Sequence, residues 1–224
     1  MRPDARFTFD ALVVGGGNRL AAAAARAVAE SPGSVYNPLL IYGGTGLGKT
    51  HVMCAIAHFA AALQPEIEVE YLTLDAFLEQ MHAAISAGQL DLFMRKYERL
   101  GLLLLDDVQF LAGRRETQGE LLRLFERMQT QGRQIVLTSD RPPSEIDDVD
   151  DRLINRISGG LIVDISPPDF ETRVAILRRL CAERTITFKE GMLEELARFE
   201  FANVREMQGA FNRLVAHQAI GTVD

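Results

Sequence analysis

Short apolar runs alternate along the chain with longer stretches whose apolar residues recur at helical spacing. Five of these runs are apolar on both faces, and they cover residues 39–42, 69–73, 102–105, 135–138 and 161–165. Strands of this kind are typical of a parallel sheet with helices on both sides. The stretches between them are long enough for helical crossovers. The pattern therefore predicts an α/β core over residues 1–165, built on a five-stranded parallel sheet.

The pattern changes after Pro167 and Pro168, where helical periodicity replaces the short runs. Two apolar stripes follow, one of Phe170, Val174, Leu177 and Cys181 and one of Val204, Met207, Phe211 and Leu214. They predict a small helical domain over residues 166–224. Near the start of the chain, an alanine run at residues 21–25 predicts a leading helix that Asn18 caps and that residues 31–33 end.

Composition limits the classes of protein to consider. The 224 residues are 47% hydrophobic and carry a net charge of −7, which argues against a chain that coats nucleic acid indiscriminately but leaves room for a local basic patch. Cys54 and Cys181 are far apart, so neither a disulfide framework nor a cysteine zinc site is indicated. The sequence lacks an apolar run long enough for a membrane span and begins without a signal-peptide core, so we expect a cytoplasmic protein.

A phosphate-binding motif follows the first predicted strand. The segment Gly43-Gly44-Thr45-Gly46-Leu47-Gly48-Lys49-Thr50 matches the pattern GxxxxGK[ST] and precedes an amphipathic helix. The glycines let backbone N–H groups turn toward phosphate oxygens, and the helix presents its positive end to them. Lys49 is expected to reach the β- and γ-phosphates, and the hydroxyl of Thr50 to join the Mg²⁺ shell. The motif predicts a nucleoside triphosphate site with Mg²⁺.

Acidic residues follow two later strands. Asp106 and Asp107 come directly after the third run, so the sheet fixes the positions of both carboxylates. We expect Asp106 to hold Mg²⁺ through water and Asp107 to orient the attacking water, because phosphoryl transfer needs mainly positioning and charge stabilisation. Asp140 closes the fourth run, and in a parallel sheet it would face the same crevice and sense the γ-phosphate.

Three arginines stand at positions from which they could contact an anionic group. Arg152 and Arg156 are four residues apart and would project from one face of a helix, although a solvated charge stripe is the usual explanation of such a pair. Arg205 falls in the first turn of a helix that Asn203 caps, where the helix dipole disfavours positive charge. An anion near Arg205 would account for its place.

With these motifs in order along the chain, the sequence resembles the AAA+ ATPase domain of the DnaA family of bacterial replication initiators. The matching segments cover residues 7–10, 13–15 with Asn18, 36–39, 43–51, 105–113, 137–141, 151–153 with Arg156, 171–177 and 203–206. The resemblance implies a three-layer AAA+ core followed by a helical lid, with ATP or ADP as the bound nucleotide. It also implies that Val13, Val14 and Asn18 line the adenine pocket, and it includes His51 in the P-loop segment.

The resemblance assigns roles in catalysis and assembly. Asp140 would be the sensor at the fourth strand, and Arg205 the sensor arginine of the lid. Arg156 would be an arginine finger that reaches the γ-phosphate of a neighbouring copy, which couples hydrolysis to head-to-tail assembly into an open helix. The residues expected to carry catalysis are Lys49, Asp107, Asp140 and Arg156.

The same resemblance implies contacts with single-stranded DNA. In that family an inserted helical hairpin, here residues 75–86 and 90–99, binds one strand with help from a basic loop, here residues 113–118. The candidate DNA contacts are His82, Arg95, Lys96, Arg114 and Arg115. Together these expectations describe an ATP-switched oligomer that engages single-stranded origin DNA.

A second hypothesis stays open, because His82 and Glu116 stand where family members commonly carry an apolar and a basic residue. The chain could be a DnaA-related regulator or helicase loader that acts through protein partners, the replicative helicase among them, with little DNA affinity of its own. The initiators also carry domains on either side of the ATPase domain. We therefore expect either an excised ATPase module or a relative that uses the module for another purpose.

Overall fold

The computed structural model describes residues 3–221, in which five strands and nine α-helices alternate. The strands are β1 (Leu39–Tyr42), β2 (Val69–Thr73), β3 (Leu102–Asp106), β4 (Gln134–Ser139) and β5 (Leu161–Asp164). The helices are α1 (Arg19–Glu30), α2 (Lys49–Leu63), α3 (Leu74–Ser86), α4 (Leu90–Glu98), α5 (Arg115–Thr130), α6 (Asp151–Ser158), α7 (Phe170–Arg184), α8 (Met192–Arg198) and α9 (Val204–Ala219).

The five strands form one parallel sheet in the order β2-β3-β4-β1-β5. The register pairs Tyr42 with Ser139 and Leu105 with Leu137, so the carboxyl ends of β1, β3 and β4 meet at one edge. Ligands of open α/β sheets bind outside this edge. The sheet therefore places the P-loop after β1 beside the acidic residues that follow β3 and β4.

Two apolar clusters cover the two faces of the sheet. Successive residues of β3 alternate between them, with Leu103 and Leu105 in one cluster and Leu102 and Leu104 in the other. Helices α3 to α6 complete the first cluster, and α1 and α2 complete the second. Full burial of each such leucine contributes roughly 1.5–3 kcal/mol relative to exposure. The result is a three-layer α/β/α core.

Aromatic packing joins the two helices of the α3–α4 hairpin to each other. Phe77 is fully buried, and its ring lies 5.4 Å from that of Phe93 and 4.9 Å from that of Tyr97. The Tyr97 hydroxyl donates to Gln80 Oε1 at 3.1 Å. At the start of the hairpin, Thr73 Oγ1 accepts from the N–H of residue 76 and caps α3. Helices α3 and α4 thus cover the segment predicted as a helical insertion, and their buried residues belong to the first cluster.

A third cluster joins α7, α8 and α9. Its fully buried members include Leu177, Met207 and Phe211. Asp169 caps α7 by accepting from the Thr172 N–H at 2.8 Å, and Asn203 caps α9 by accepting from the Glu206 N–H at the same distance. These helices form the small helical unit that the periodicity predicts after residue 166.

The predicted α/β fold and its five parallel strands are confirmed. The division at residue 165 stays a prediction, and residues 1–2 and 222–224 of the two predicted domains lie outside the described residues. Among the residues described, no helix combines the length and apolarity needed to cross a membrane. Cys54 and Cys181 are free thiols, both buried.

Three local predictions were wrong. Asn18 precedes α1, but its side chain does not cap the helix. Its Oδ1 accepts from the Gly15 N–H and its Nδ2 donates to the Val13 carbonyl, each at 2.9 Å. A tight turn before the helix therefore uses both side-chain groups. The segment predicted as a basic loop is helical from Arg115 onward. Phe170 lies outside the buried lid stripe and is 40% exposed, since it occupies the first position of α7.

Candidate nucleotide-binding site

The P-loop joins β1 to α2 and has the backbone shape that the glycine spacing predicts. Gly46 and Gly48 adopt φ angles of +78° and +103°, which favour glycine. Gly48 lies directly before α2, so the unsatisfied N–H groups of the first helical turn open into the loop. This arrangement is a concave set of donors for an anion.

Lys49 folds back over the loop and is 7% exposed. Its Nζ donates to the Gly43 carbonyl at 2.7 Å and to the Gly44 carbonyl at 3.0 Å. Burial lowers the pKa of the ammonium group, while nearby carboxylates, Asp107 most strongly, oppose that shift. The charge is thus held at the loop with only carbonyl acceptors, an environment that an anionic phosphate would improve.

Asp106 ends β3 as a buried carboxylate with three hydroxyl donors. Thr50 Oγ1 and Tyr71 Oη each donate to its Oδ2 at 3.0 Å, and Thr138 Oγ1 donates to its Oδ1. Burial, and next the charge of Asp106, raise the pKa of the Tyr71 hydroxyl, which keeps it a donor. The adjacent oxygens of Thr50 and Asp106 are the hard donors that Mg²⁺ prefers, so these residues fit that ion.

Asp107 follows in a left-handed backbone conformation, with φ at 63°. The Thr138 hydroxyl that donates to Asp106 also accepts from the Asp107 N–H at 2.9 Å. Gln109 Nε2 donates to Asp107 Oδ1 at 3.0 Å, and Gln109 Oε1 accepts from the Asp140 N–H at 3.2 Å. Residues of β4 and of the turn after β3 therefore fix Asp107 in a conformation that costs a non-glycine residue energy.

Asp140 lies after β4 at the same edge of the sheet, as predicted. Its carboxylate accepts two hydrogen bonds from the guanidinium of Arg141, at 2.8 and 3.1 Å. Arg141 holds the pKa of Asp140 below its usual range, so the carboxylate is ionised and contributes to the negative field around Lys49. A sensor role for Asp140 stays a prediction.

The lid touches the P-loop through the start of α9. A methyl group added to Gly46 would lie 2.9 Å from Asn203 Oδ1 and 3.1 Å from Arg205 Cβ. Arg205 is also close enough to Lys49 that its charge lowers the pKa of the lysine. Two positive groups thus converge where phosphate is expected, in keeping with the predicted sensor arginine.

A cavity of about 760 Å³ lies between the core and the lid and reaches the P-loop at Leu47 and Gly48. Val13, Asn18 and His51 are also in its lining. Val14, predicted to join them, is 52% exposed and lies outside that lining. The volume is within the range of small-molecule sites, and its walls combine apolar side chains with polar groups, as a site for a nucleotide base requires. The predicted adenine pocket has a cavity in the expected place.

His51 closes one side of this cavity. Its Nε2 lies 2.9 Å from the Thr8 carbonyl oxygen, and its ring stacks on Phe7 with centroids 4.8 Å apart. Burial lowers the pKa of His51, and the Thr8 carbonyl only partly opposes this. The segment before α1 is thereby attached to the P-loop helix.

Arg156 lies away from the crevice that contains the P-loop, near the C-terminal end of α6. Its Nη1 donates to Gln129 Oε1 at 3.0 Å, and Gln129 Nε2 donates to the Asn37 carbonyl at 3.1 Å. Asn37 precedes β1 whereas Gly43 follows it, so Arg156 sits at the amino edge of the sheet, opposite the P-loop. The length of β1, about 13 Å, separates the two edges. Arg152 lines the same cavity as Arg156, as the spacing predicts.

The candidate DNA contacts are exposed, but three are engaged within the chain. His82 and Arg95 are exposed on α3 and α4. Lys96 Nζ lies 3.3 Å from a carboxylate oxygen of Glu70. The guanidinium of Arg114 is 2.8 Å from Asp75, and Arg115 pairs with Asp148. Any phosphate bound there would compete with carboxylates of the chain.

The sequence did not predict that Tyr71 contacts Asp106, that Gln109 contacts Asp107, or that Thr138 contacts both carboxylate residues. Tyr71 and Thr138 lie on strands either side of β3, and only the sheet register brings them to Asp106. Gln109 comes two residues after Asp107, and that proximity is the one signal that could have found it. Among the described residues, no group of three His, Cys, Asp or Glu side chains is arranged to hold a metal ion by itself.

These parts define a class of protein. A P-loop after β1, carboxylates after β3, a polar residue after β4 and an arginine from a helical lid converge on one crevice of a parallel sheet. This combination is that of an AAA+ P-loop ATPase domain.

Comparison with known proteins identifies the family within the AAA+ ATPases. The family model of the bacterial DnaA ATPase domain matches residues 4–164. The chain is 44% identical over 219 residues to chromosomal replication initiator protein DnaA of Thermus thermophilus, and 45% identical over 218 residues to that of Deinococcus radiodurans. These alignments cover 98% and 97% of the chain but 50% and 47% of the relatives, so the chain spans about half their length. The chain belongs to the DnaA family.

Solved structures support the same family assignment. Domain III of DnaA from Thermotoga maritima matches with a TM-score of 0.92 at 38% identity, covering 100% of this chain and 94% of that one. A replication initiator DnaA bound to AMPPCP and single-stranded DNA matches with a TM-score of 0.87 at 35% identity, covering 95% and 65%. The DnaC helicase loader, at 12% identity and a TM-score of 0.63 over 73% and 100%, shares the fold alone.

Gly46→Ala should lower the free energy of unfolding by about 1–3 kcal/mol, because it places a side chain at positive φ against the lid. Gly44→Ala is the matched control in the same loop. Its methyl group would have Leu47 Cδ1 at 3.6 Å as nearest neighbour, so we expect a change below about 0.5 kcal/mol. Urea unfolding without nucleotide measures both variants. Equal unfolding midpoints would contradict the loop conformation described here.

The chain should lose stability through His51 as the pH falls below about 6.5, the ordinary pKa of histidine. The unfolded chain takes up the proton there, whereas the folded chain takes it up only at the lowered pKa. Urea unfolding between pH 5 and 7.5 should show a smaller acid loss for His51→Gln than for the wild type, while His82→Gln, at an exposed site, follows the wild type. Parallel pH curves for all three proteins would show that His51 is not buried as a neutral ring.

Proposed function

We propose that the chain is the ATP-switched assembly module of a replication initiator. ATP and Mg²⁺ bind at the P-loop, neighbouring copies join head to tail, and the oligomer engages single-stranded DNA. The core corresponds to residues 1–165 and the lid to residues 166–224. This proposal extends to the chain what the DnaA relatives imply, and the geometry of its own residues supports it.

The observation that carries the proposal is the separation of Arg156 from the P-loop. The two lie at opposite edges of the sheet, and the Arg156 guanidinium is turned toward Gln129 at the amino edge. Arg156 therefore cannot contact a phosphate in the loop of its own chain, but a head-to-tail neighbour could present one to it. Fingers supplied in this way are worth roughly 10³ to 10⁵ in rate where they have been measured.

At the carboxyl edge, each side chain has a distinct task. The amides of the loop and Lys49 bind the β- and γ-phosphates. Thr50, and Asp106 through water, would hold Mg²⁺, which would neutralise charge on the phosphate oxygens when bound. Asp107, fixed by Thr138, orients a water molecule for attack.

At the opposite end of the phosphate chain, Val13, Asn18 and His51 line the cavity that takes the base. Val14 is exposed and outside the lining of this cavity, so it has no assigned part in binding the base. Asp140 and Arg205 report the state of the γ-phosphate to β4 and to the lid. The nucleotide thereby contacts both the core and the lid and can set their relative position.

DNA binding by this chain would use the α3–α4 hairpin with Arg114 and Arg115. Exposed basic side chains on the hairpin, Arg95 and Lys96, support contact with a phosphate backbone. A localised site of this kind is compatible with the net charge of −7.

One observation favours a second candidate, a DnaA-related regulator or helicase loader acting through protein partners. Lys96, Arg114 and Arg115 are paired with carboxylates of the same chain, so binding DNA first requires these ion pairs to break. A protein partner, such as the replicative helicase, could bind without breaking these ion pairs.

Arg156→Ala should bind an ATP analogue within about two-fold of the wild-type affinity, because the substitution is remote from the loop. It should fail to form the oligomers that the wild type forms with the analogue and Mg²⁺, measured as mass by light scattering. Arg123→Ala, an exposed arginine on α5, is the control and should assemble normally. An Arg156→Ala mass equal to that of the wild type would reject the finger role.

Affinity for a single-stranded oligonucleotide, measured against salt with the ATP analogue present, separates the two candidates. Direct binding should weaken with a log–log slope of roughly −0.7 per phosphate engaged, and Arg95→Ala should reduce that slope by about one phosphate. Arg198→Ala, exposed on α8 in the lid, should leave the slope unchanged. If no analogue-dependent binding to the oligonucleotide is measurable at low salt, the result favours the second candidate, a regulator or helicase loader that acts through protein partners.

A further inference from the structure

The cavity beside Arg156 contains an acidic side chain that the proposed assembly leaves without a role. Glu126 on α5 lines this cavity, of about 510 Å³, with Gln129, Arg152 and Asn155. Arg156 Nη2 donates to Glu126 Oε1 at 3.2 Å, and its Nη1 donates to Gln129 Oε1 at 3.0 Å. The two guanidinium nitrogens that a phosphate would need are thus both occupied within the chain.

The two acceptors differ in how firmly they are held. Gln129 is fixed by its own hydrogen bond to the Asn37 carbonyl, and it carries no charge. Glu126 is 48% exposed at its side chain and Arg156 is 39% exposed, so water reaches their contact. Exposed ion pairs of this kind exchange readily, because they contribute little to stability.

Neighbouring arginines have carboxylate partners of their own. Arg152 pairs with Asp150 at 2.9 Å, Arg123 with Glu120 at 2.8 Å and Arg127 with Glu98 at 2.7 Å. The side chain of Glu126 accepts its hydrogen bond from Arg156, and its charge also acts on the nearby Arg152. A carboxylate and a phosphate bind a guanidinium through the same N–H groups, so Glu126 and an incoming phosphate compete for Arg156.

We propose that Glu126 occupies the place of the neighbouring copy's γ-phosphate while the chain is free, and that assembly replaces it. This inference rests on the proposed function. Gln129 keeps its bond to Arg156 Nη1 and orients the guanidinium before and after the exchange. Glu126 is a positioning residue that sets the protein concentration needed for assembly, because each new interface must first break the Glu126–Arg156 ion pair.

Glu126→Gln keeps the shape of the side chain and removes its charge. With ATP analogue and Mg²⁺, it should reach half-assembly at a protein concentration about two- to five-fold below that of the wild type, the range expected for losing one exposed ion pair. Glu120→Gln is the matched control, since it removes the same charge from the same helix beside Arg123. It should assemble like the wild type, as followed by light scattering across a concentration series.

A second readout separates this role from a general effect on the fold. The affinity of dilute, unassembled protein for the ATP analogue should be the same for wild type, Glu126→Gln and Glu120→Gln, because the nucleotide site lies at the other edge of the sheet. A changed affinity in Glu126→Gln alone would overturn the inference, since the residue would then act through the fold.

The outcomes also distinguish this inference from the proposed function. If the wild type assembles and Arg156→Ala does not, but Glu126→Gln matches Glu120→Gln or assembles less well, Glu126 does not compete with phosphate and the inference alone fails. If the wild type stays monomeric with the analogue at every concentration, the proposed function fails and this inference fails with it.

Discussion

A lysine ammonium group buried inside a loop of main chain is the feature on which the rest of this structure depends. Lys49 is 7% exposed, and its hydrogen-bond acceptors are the carbonyls of Gly43 and Gly44. Burying a charge without an opposite charge in contact is costly. The positive φ angles of Gly46 and Gly48 keep the loop open around that charge. A folded loop of this kind is prepared for an anion before any ligand arrives.

The parallel sheet divides the chemistry between two edges. Hydroxyl groups from β2 and β4 fix the carboxylate of Asp106 beside Thr50 at the carboxyl edge. Arg156 is held by Gln129 at the amino edge. One chain cannot bring these groups to a single phosphate, because β1 lies between them. Nucleotide state and self-association are therefore linked by geometry in our account, and the ion pair with Glu126 tunes that link.

Much of the fold and of the loop follows from local sequence. The apolar runs predicted all five strands, and the spacing of glycines with Lys49 and Thr50 predicted the P-loop, because these features depend on neighbours along the chain. The partners of Asp106 did not follow, since Tyr71 reaches it only through the register of β2 on β3. The ion pair of Glu126 with Arg156 joins residues 30 positions apart and has no local signal. Asn18 shows a different case, in which two local hydrogen bonds, to residues three and five positions earlier, use the side-chain groups that a helix cap would need.

The most direct test of the central claim is a crystal structure of the chain with an ATP analogue and Mg²⁺. The account predicts that Lys49 Nζ leaves the Gly43 and Gly44 carbonyls and lies about 2.7–2.9 Å from oxygens of the β- and γ-phosphates. It also predicts loop amides directed at those oxygens. An analogue bound with Lys49 still on the two carbonyls and the loop amides turned away would contradict it.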